Sequence, residues 1–207
     1  MAIACPKTIV FLPVLLLIGC GGGGTSDQVE TPYDQISGAY SLLEKDYEIN
    51  NLTPLENLPQ GHGAGSALYS GYVMLSVTNA PISDIAGDIQ INVDFETTNV
   101  SGHASGFHSN DGASLTVVDA NAVPILADEI PFVGGFDMAN RSNDYPISFD
   151  LMGNLLTNEG AVIGIDVAMT GDFIGNDADA VGGMAAGVAT VTDAISGPVV
   201  GTFLAVQ

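Results

Sequence analysis

From Ser66 onward, apolar and polar residues alternate with the period of a pleated strand. Ala67, Tyr69, Gly71, Val73, Leu75 and Val77 fall on one face, and Leu68, Ser70, Tyr72, Met74 and Ser76 on the other, which predicts one long strand. Shorter β-rich runs follow, each ended by Gly, Asn, Asp or Pro: residues 88–95, 100–107, 113–118, either 131–136 or 147–151, then 161–170, 183–191 and 199–206. No strong amphipathic helix interrupts them. About eight strands at close spacing favour antiparallel up-and-down pairing, and eight strands can close into a barrel without exposed edges. The expected fold class is therefore all-β, an eight-stranded antiparallel up-and-down barrel, with a sandwich as the competing architecture. An interior of that size is filled by side chains or holds one small ligand.

Upstream of the strands the period changes. Ile36, Tyr40, Leu43 and Tyr47 are spaced by 4, 3 and 4, which lines one face of a helix over residues 33–47. Gly38 weakens that reading, and an edge strand competes with it. Residues 50–60, with Pro54 and Pro59, form a connector.

The first nineteen residues have a different character. Lys7 is the only early charge, and an apolar run extends from Thr8 through Ile18. That run is shorter than the about 20 residues a spanning helix needs, and it reads as a signal peptide. Its end, Leu17-Ile18-Gly19-Cys20, resembles the bacterial lipobox at all four positions. The resemblance implies cleavage before Cys20, which then carries thioether-linked and amide-linked acyl chains such as palmitate. Several chains on one residue make a durable anchor, because each buried methylene contributes about 0.8 kcal/mol. Gly21 rather than Asp follows the cysteine, so nothing marks retention at the inner membrane. The expected organisation is a signal peptide over 1–19, a lipidated Gly-rich tether over 20–27, a short N-terminal element and connector over 28–60, and a barrel over 61–207.

Charge narrows the set of partners. Three Lys+Arg oppose 24 Asp+Glu among 207 residues, a net charge of −21. Such a chain repels phosphate backbones, so no nucleic-acid partner is expected. Removal of residues 1–19 also removes Lys7 and Cys5. With Cys20 acylated, no cysteine is left for a disulfide, and the fold must be held by its core. Near-uniform negative charge keeps a Gly-rich β protein soluble, discourages edge-to-edge association and tolerates high salt, which suggests a salty habitat. A monomer is expected.

Several pieces of the strand region resemble lipoproteins of the transferrin-binding protein B type, including single-barrel relatives of the factor H binding protein kind. Gly65-Ser66-Ala67-Leu68-Tyr69-Ser70-Gly71 is similar to that family's opening strand. Val93-Asp94-Phe95 followed by Val100-Ser101-Gly102 resembles its hairpin. Gly171-Asp172-Phe173-Ile174-Gly175-Asn176-Asp177-Ala178-Asp179-Ala180-Val181-Gly182-Gly183 resembles its Gly-x-Phe-x-Gly block, acidic turn and Gly-Gly. Gly201-Thr202-Phe203-Leu204-Ala205 resembles its closing strand. The resemblance covers residues 60–207 and implies a surface lipoprotein barrel that captures a protein or an iron-bearing ligand. The chain has room for one barrel, not for the two lobes of a transferrin-binding protein.

Chemistry-bearing residues are few. The only imidazoles are His62, His103 and His108. A separation of five places His103 and His108 on opposite faces of a strand unless a bulge at Gly106 realigns them. They are candidate ligand-binding residues, haem ligation by one of them being the sharp reading and exposed loop histidines the bland one. In the 171–183 block, Asp177 or Asn176 can cap a short helical turn, and Gly182 and Gly183 let the chain re-enter the barrel where a Cβ would collide. A Ca²⁺ loop over Asp172, Asn176, Asp177 and Asp179 is the alternative, although EF-hand spacing is lacking. No Gly-x-Ser-x-Gly elbow, zinc signature, P-loop or dinucleotide fingerprint is found. Asp128-Glu129, and Asp94 with Glu96, are sequence neighbours of the kind that line a solvated face, and Arg141 lies in a polar loop before Tyr145-Pro146.

These readings point to a non-catalytic outer-membrane lipoprotein, anchored through Cys20 and exposed at the surface. Its barrel is expected to bind an extracellular protein or an iron-bearing ligand, with no resident cofactor or metal. The alternatives are a periplasm-facing structural or envelope lipoprotein and a barrel that encloses a small, haem-like ligand.

Overall fold

The computed structural model of the chain describes residues 30–48, 51–59, 64–78, 82–137, 147–191 and 194–207. The expected signal peptide over 1–19, Cys20 and the expected tether, His62 and Arg141 lie outside the described residues.

The helical alternative holds upstream of the barrel: helix α1 spans Pro32–Asp46. Its start is a reciprocal cap. The Asp34 N–H donates to Thr31 Oγ1 at 3.2 Å, while the Asp34 carboxylate accepts from the Thr31 N–H at 3.0 Å and the Thr31 hydroxyl at 2.8 Å. Pro32 occupies the first turn, where a missing N–H is harmless. Lys45 sits in the last turn, where the carbonyl ends favour a cation. The face spelled by Tyr40, Leu43 and Tyr47 packs on Tyr72, Met74 and Val206 of the barrel wall, over buried Ile174, Ala180 and Leu204. The helix therefore docks through a second, smaller core outside the barrel.

Among the described residues nine strands form: β1 (Ser66–Val77), β2 (Asp84–Asp94), β3 (Asn99–Ser109), β4 (Thr116–Val118), β5 (Glu129–Phe136), β6 (Ile147–Leu156), β7 (Val162–Ile174), β8 (Ala180–Val191) and β9 (Ala194–Val206). Antiparallel pairing runs β1-β2-β3-β5-β6-β7-β8-β9, and β9 pairs back onto β1 from Ser70↔Val206 to Val77↔Val199. Eight strands thus close into an up-and-down barrel. The ninth, β4, is an extra. Strand β5 pairs with β6 only at Phe149, Ser148 and Ile147, and β4 takes up the other end of β6 at Asn154, Leu155 and Leu156. One place in the wall is thus shared by two short segments.

Three expectations need correction. Residues 131–136 and 147–151 are not alternatives, because both become strands. Conversely, 113–118 shrinks to three residues, since its first half turns back on β3 through His108↔Ser114. Strands β7 and β8 also run past the ends expected from sequence, β7 through Gly171 and Asp172 and β8 back through Gly182. Small or acidic residues hide a strand from any apolar pattern, yet their backbones pair as well as others.

Inside, the barrel is filled. Phe95, Phe136 and Phe173 meet with centroids 5.4–5.8 Å apart, and Tyr69 adds to them at 6.5 Å. Higher up, Phe132 stacks on Phe149 at 4.2 Å, and Phe149 meets Phe203 edge-on at 5.5 Å. Each buried ring contributes about 1.5–3 kcal/mol through the apolar area it removes from water. The connector seals one end: Leu58 enters the core, the Thr53 N–H donates to the Phe173 carbonyl at 2.9 Å, and Leu52 bridges to Ile174. The outward positions include Asp88, Gln90, Asp150 and Asp166. Leu68, Val133, Met152, Met184, Val188 and Val200 also face outward, so the outer wall mixes polar and apolar positions while the interior is apolar. Among the described residues, no helix is long and apolar enough to cross a membrane.

Candidate functional site

The two histidines sit on β3, and a bulge decides how they are disposed. Ala86 pairs with His108 and Asp88 with Ser105, so one residue of β2, Gly87, faces two of β3. Gly106 takes a left-handed φ of 58° at this bulge, which a residue with a Cβ adopts with strain. The bulge realigns the strand. His103 lies opposite Gln90 and His108 opposite Ala86, four residues apart on β2 and hence on one face, the outer one.

Sharing a face does not make them a pair. Four register steps at about 3.3 Å per residue separate them by about 13 Å, beyond the reach of one metal ion. Each has its own neighbour: His103 Nε2 lies 3.6 Å from Glu129 Oε1, and His108 Nδ1 lies 3.3 Å from Ser114 Oγ. Among the described residues, no group of three or more His, Cys, Asp or Glu could hold a metal ion.

Between the histidines, Asp88 projects over the bulge. Burial raises its carboxyl pKa, and the neighbouring His108 pulls it back down. Asp88, Gln90 and Ser105 form the polar side of a groove of about 360 Å³, whose other side is Leu43 of α1 with Tyr72 of β1. The floor is Gly71. A Cβ there would lie 2.0 Å from the Leu204 carbonyl oxygen of β9, so only glycine lets the two strands approach so closely. The groove exists because α1 lies along the wall. It offers a carboxylate, an amide and a hydroxyl beside an aromatic ring, a set that can hydrogen-bond a polar or cationic group. Sequence reasoning missed Asp88, Gln90 and Ser105, because nothing in an outward strand position foretells a helix beside it.

The 171–183 block is structural. No helical turn forms. Residues 175–178 make a tight turn with Gly175 at φ 91° and Ala178 at φ 56°. The turn is tied on every side: the Gly175 N–H donates to the Asn51 carbonyl at 2.9 Å, Asn57 Nδ2 to the Asn176 carbonyl at 2.8 Å, and the Gln207 N–H to the Asp179 carbonyl at 2.9 Å. Close approach does require glycine at 183, where a Cβ would stand 2.0 Å from the Thr170 carbonyl oxygen. The neighbouring carboxylates of the sequence are likewise engaged with backbone. Asp94 accepts from the N–H groups of Glu96 and Thr97 at 2.9 and 3.1 Å, which lowers its pKa, and Asp128 accepts from the Val117 N–H at 2.7 Å.

Fold and groove together define a closed antiparallel barrel with one external helix and a packed interior. No protein-family model matches the chain, and no curated protein sequence matches it.

Proposed function

We propose that the chain is a lipid-anchored, non-catalytic binding protein of the outer membrane, a surface-exposed relative in kind of the transferrin-binding protein B lipoproteins. The observation that carries this reading is the sequence Leu17-Ile18-Gly19-Cys20 ahead of a barrel whose interior is packed with aromatic rings. The motif supplies an anchor. The packed interior leaves the outer wall and the loops as binding surface, which suits an extracellular protein or a bulky iron-bearing ligand better than a small enclosed one. The groove beside α1, with His103 and His108 on the same face, is the part of the wall with the greatest variety of donors and acceptors.

Protease treatment of intact cells tests the orientation, with an antibody against the mature domain and a periplasmic protein as control. Loss of the signal from intact cells supports capture of an extracellular partner. Protection until the outer membrane is broken overturns it in favour of a periplasm-facing envelope role. Haem titration of the purified chain, with His103→Ala and His108→Ala beside it, tests the iron-bearing ligand.

A further inference from the structure

The segment between β4 and β5 presents an apolar tip in a fixed shape. The Asp119 N–H donates to the Val123 carbonyl at 2.8 Å, and the Ile125 N–H to the Val117 carbonyl at 2.9 Å. Val118 and Pro124 form a bridge, and Ala122 and Asp128 adopt left-handed φ of 60° and 51°. The two acids that bound the tip turn back on its backbone. The Asp119 carboxylate accepts from the N–H groups of Asn121 and Val123 at 2.8 and 3.0 Å, and Asp128 accepts from that of Val117. Between them, Ala120 to Ala127 carries no charge.

What the tip shows to solvent is Val123, 56% exposed, Ile125, 40% exposed, and Leu126, fully exposed. A chain of net charge −21 leaves three branched apolar side chains exposed within four residues, on a loop already held in shape. A preformed loop loses little conformational entropy on contact, so this is a surface ready for an apolar partner.

We propose that this tip dips into the lipid surface that holds the Cys20 anchor. The inference rests on the lipid-anchored reading above and takes it further, to how the domain sits on its membrane. The described chain begins beside the turn that leads from β3 towards β4, where Thr31 Cγ2 would stand 3.0 Å from a Cβ on Gly112. Cys20 is eleven residues before Thr31. A Gly-rich segment of that length has a mean span of about 18 Å and a limit of about 40 Å. An anchor so close keeps the bilayer at high effective concentration beside that half of the barrel, so a contact of only three side chains suffices. The uncharged stretch from Ala120 to Ala127 matters equally, since the flanking Asp119 and Asp128 can stay at headgroup level, held by backbone N–H groups, while the apolar side chains between them meet lipid. Apolar side chains of this kind settle at the boundary of headgroups and acyl chains, about 5–10 Å deep.

The test uses the full chain processed in cells and reconstituted into phosphatidylcholine vesicles. Cys5 leaves with the signal peptide and Cys20 is acylated, so Leu126→Cys and Asp177→Cys each introduce a single free thiol for an environment-sensitive fluorophore. Both positions are exposed, and Asp177 lies at the barrel end opposite the β3–β4 turn. The expected result is a blue shift and at least threefold stronger quenching by doxyl-labelled lipid at position 126 than at 177. Equal quenching, with the acylated N-terminal peptide found by mass spectrometry, overturns this proposal while the lipoprotein reading stands, and assigns the tip to a protein partner or a second copy. An unacylated Cys20 overturns both.

Discussion

The Tyr69 hydroxyl, inside the barrel, donates a hydrogen bond to the Ala178 carbonyl at 3.0 Å. Tyr69 is on the first strand, and Ala178 is one of two left-handed residues in the turn between β7 and β8. One bond thus ties the opening of the barrel to the turn that receives the connector. Burial holds the phenol far above its ordinary pKa, and Asp179 adds to the effect. Tyr69→Phe keeps the ring and strands the carbonyl. Denaturant unfolding is expected to show a loss of about 1–2 kcal/mol with an unchanged slope.

The glycines separate into two kinds, and alanine distinguishes them. At Gly71 a Cβ would overlap the Leu204 carbonyl, whereas at Gly38 in α1 nothing lies within 4 Å. Gly71→Ala is expected to destabilise by about 1–3 kcal/mol, as overpacking does. Gly38→Ala is expected to stabilise by about 0.5–1 kcal/mol, because the flexible residue is then gone from a helix interior. Thermal melts of the two variants check both signs.

Tyr40 buries its hydroxyl beneath α1 near Thr202 and Glu44, without a hydrogen bond of good geometry to either. Burial pushes its pKa up to about 12, with Thr202 opposing and the nearby Glu44 adding to the rise. A folded-state pKa above the unfolded value means stability that is fully present below pH 10 and lost as pH rises from 10 to 12. Tyr40→Phe removes an unpaired buried group. It is expected to be neutral or stabilising at pH 7 and to lose less of its melting temperature than the parent between pH 9 and pH 11.

Charge makes the fold sensitive to salt in an unusual direction. With 24 acids against three Lys and Arg, self-repulsion dominates over any ion pair. The screening length falls from about 30 Å at 0.01 M to about 3 Å at 1 M salt. Tm is therefore expected to rise steadily across that range of sodium chloride. A flat or falling Tm in calorimetry would show that local attractions outweigh the net charge.

Much of the barrel is legible in the sequence because its core face repeats every second residue. Ala67 through Val77 gives β1 almost to the residue, and the 4, 3, 4 spacing of Ile36, Tyr40, Leu43 and Tyr47 gives the face on which α1 docks. Gly106 was legible as the hinge between the two histidines, although not whether it would bulge. The rest depends on partners distant in the chain. Residues 131–136 and 147–151 are each short, and their pairing with one another covers only three positions. Nothing local shows that β4 completes the wall where β5 leaves it. The groove with Asp88 is invisible for a similar reason, since its polar side comes from β2 and β3 and its apolar side from a helix and strand placed there by tertiary packing.

The seam between β1 and β9 sets the order of events in the life of the chain. Ser70 and Val206 pair across 136 positions, and no shorter hairpin can substitute for that closure. Such a distant pairing makes closure slow compared with the hairpins. Until the last strand arrives, β1 is an open edge, and the chain is a set of ribbons that can still be threaded through a narrow passage.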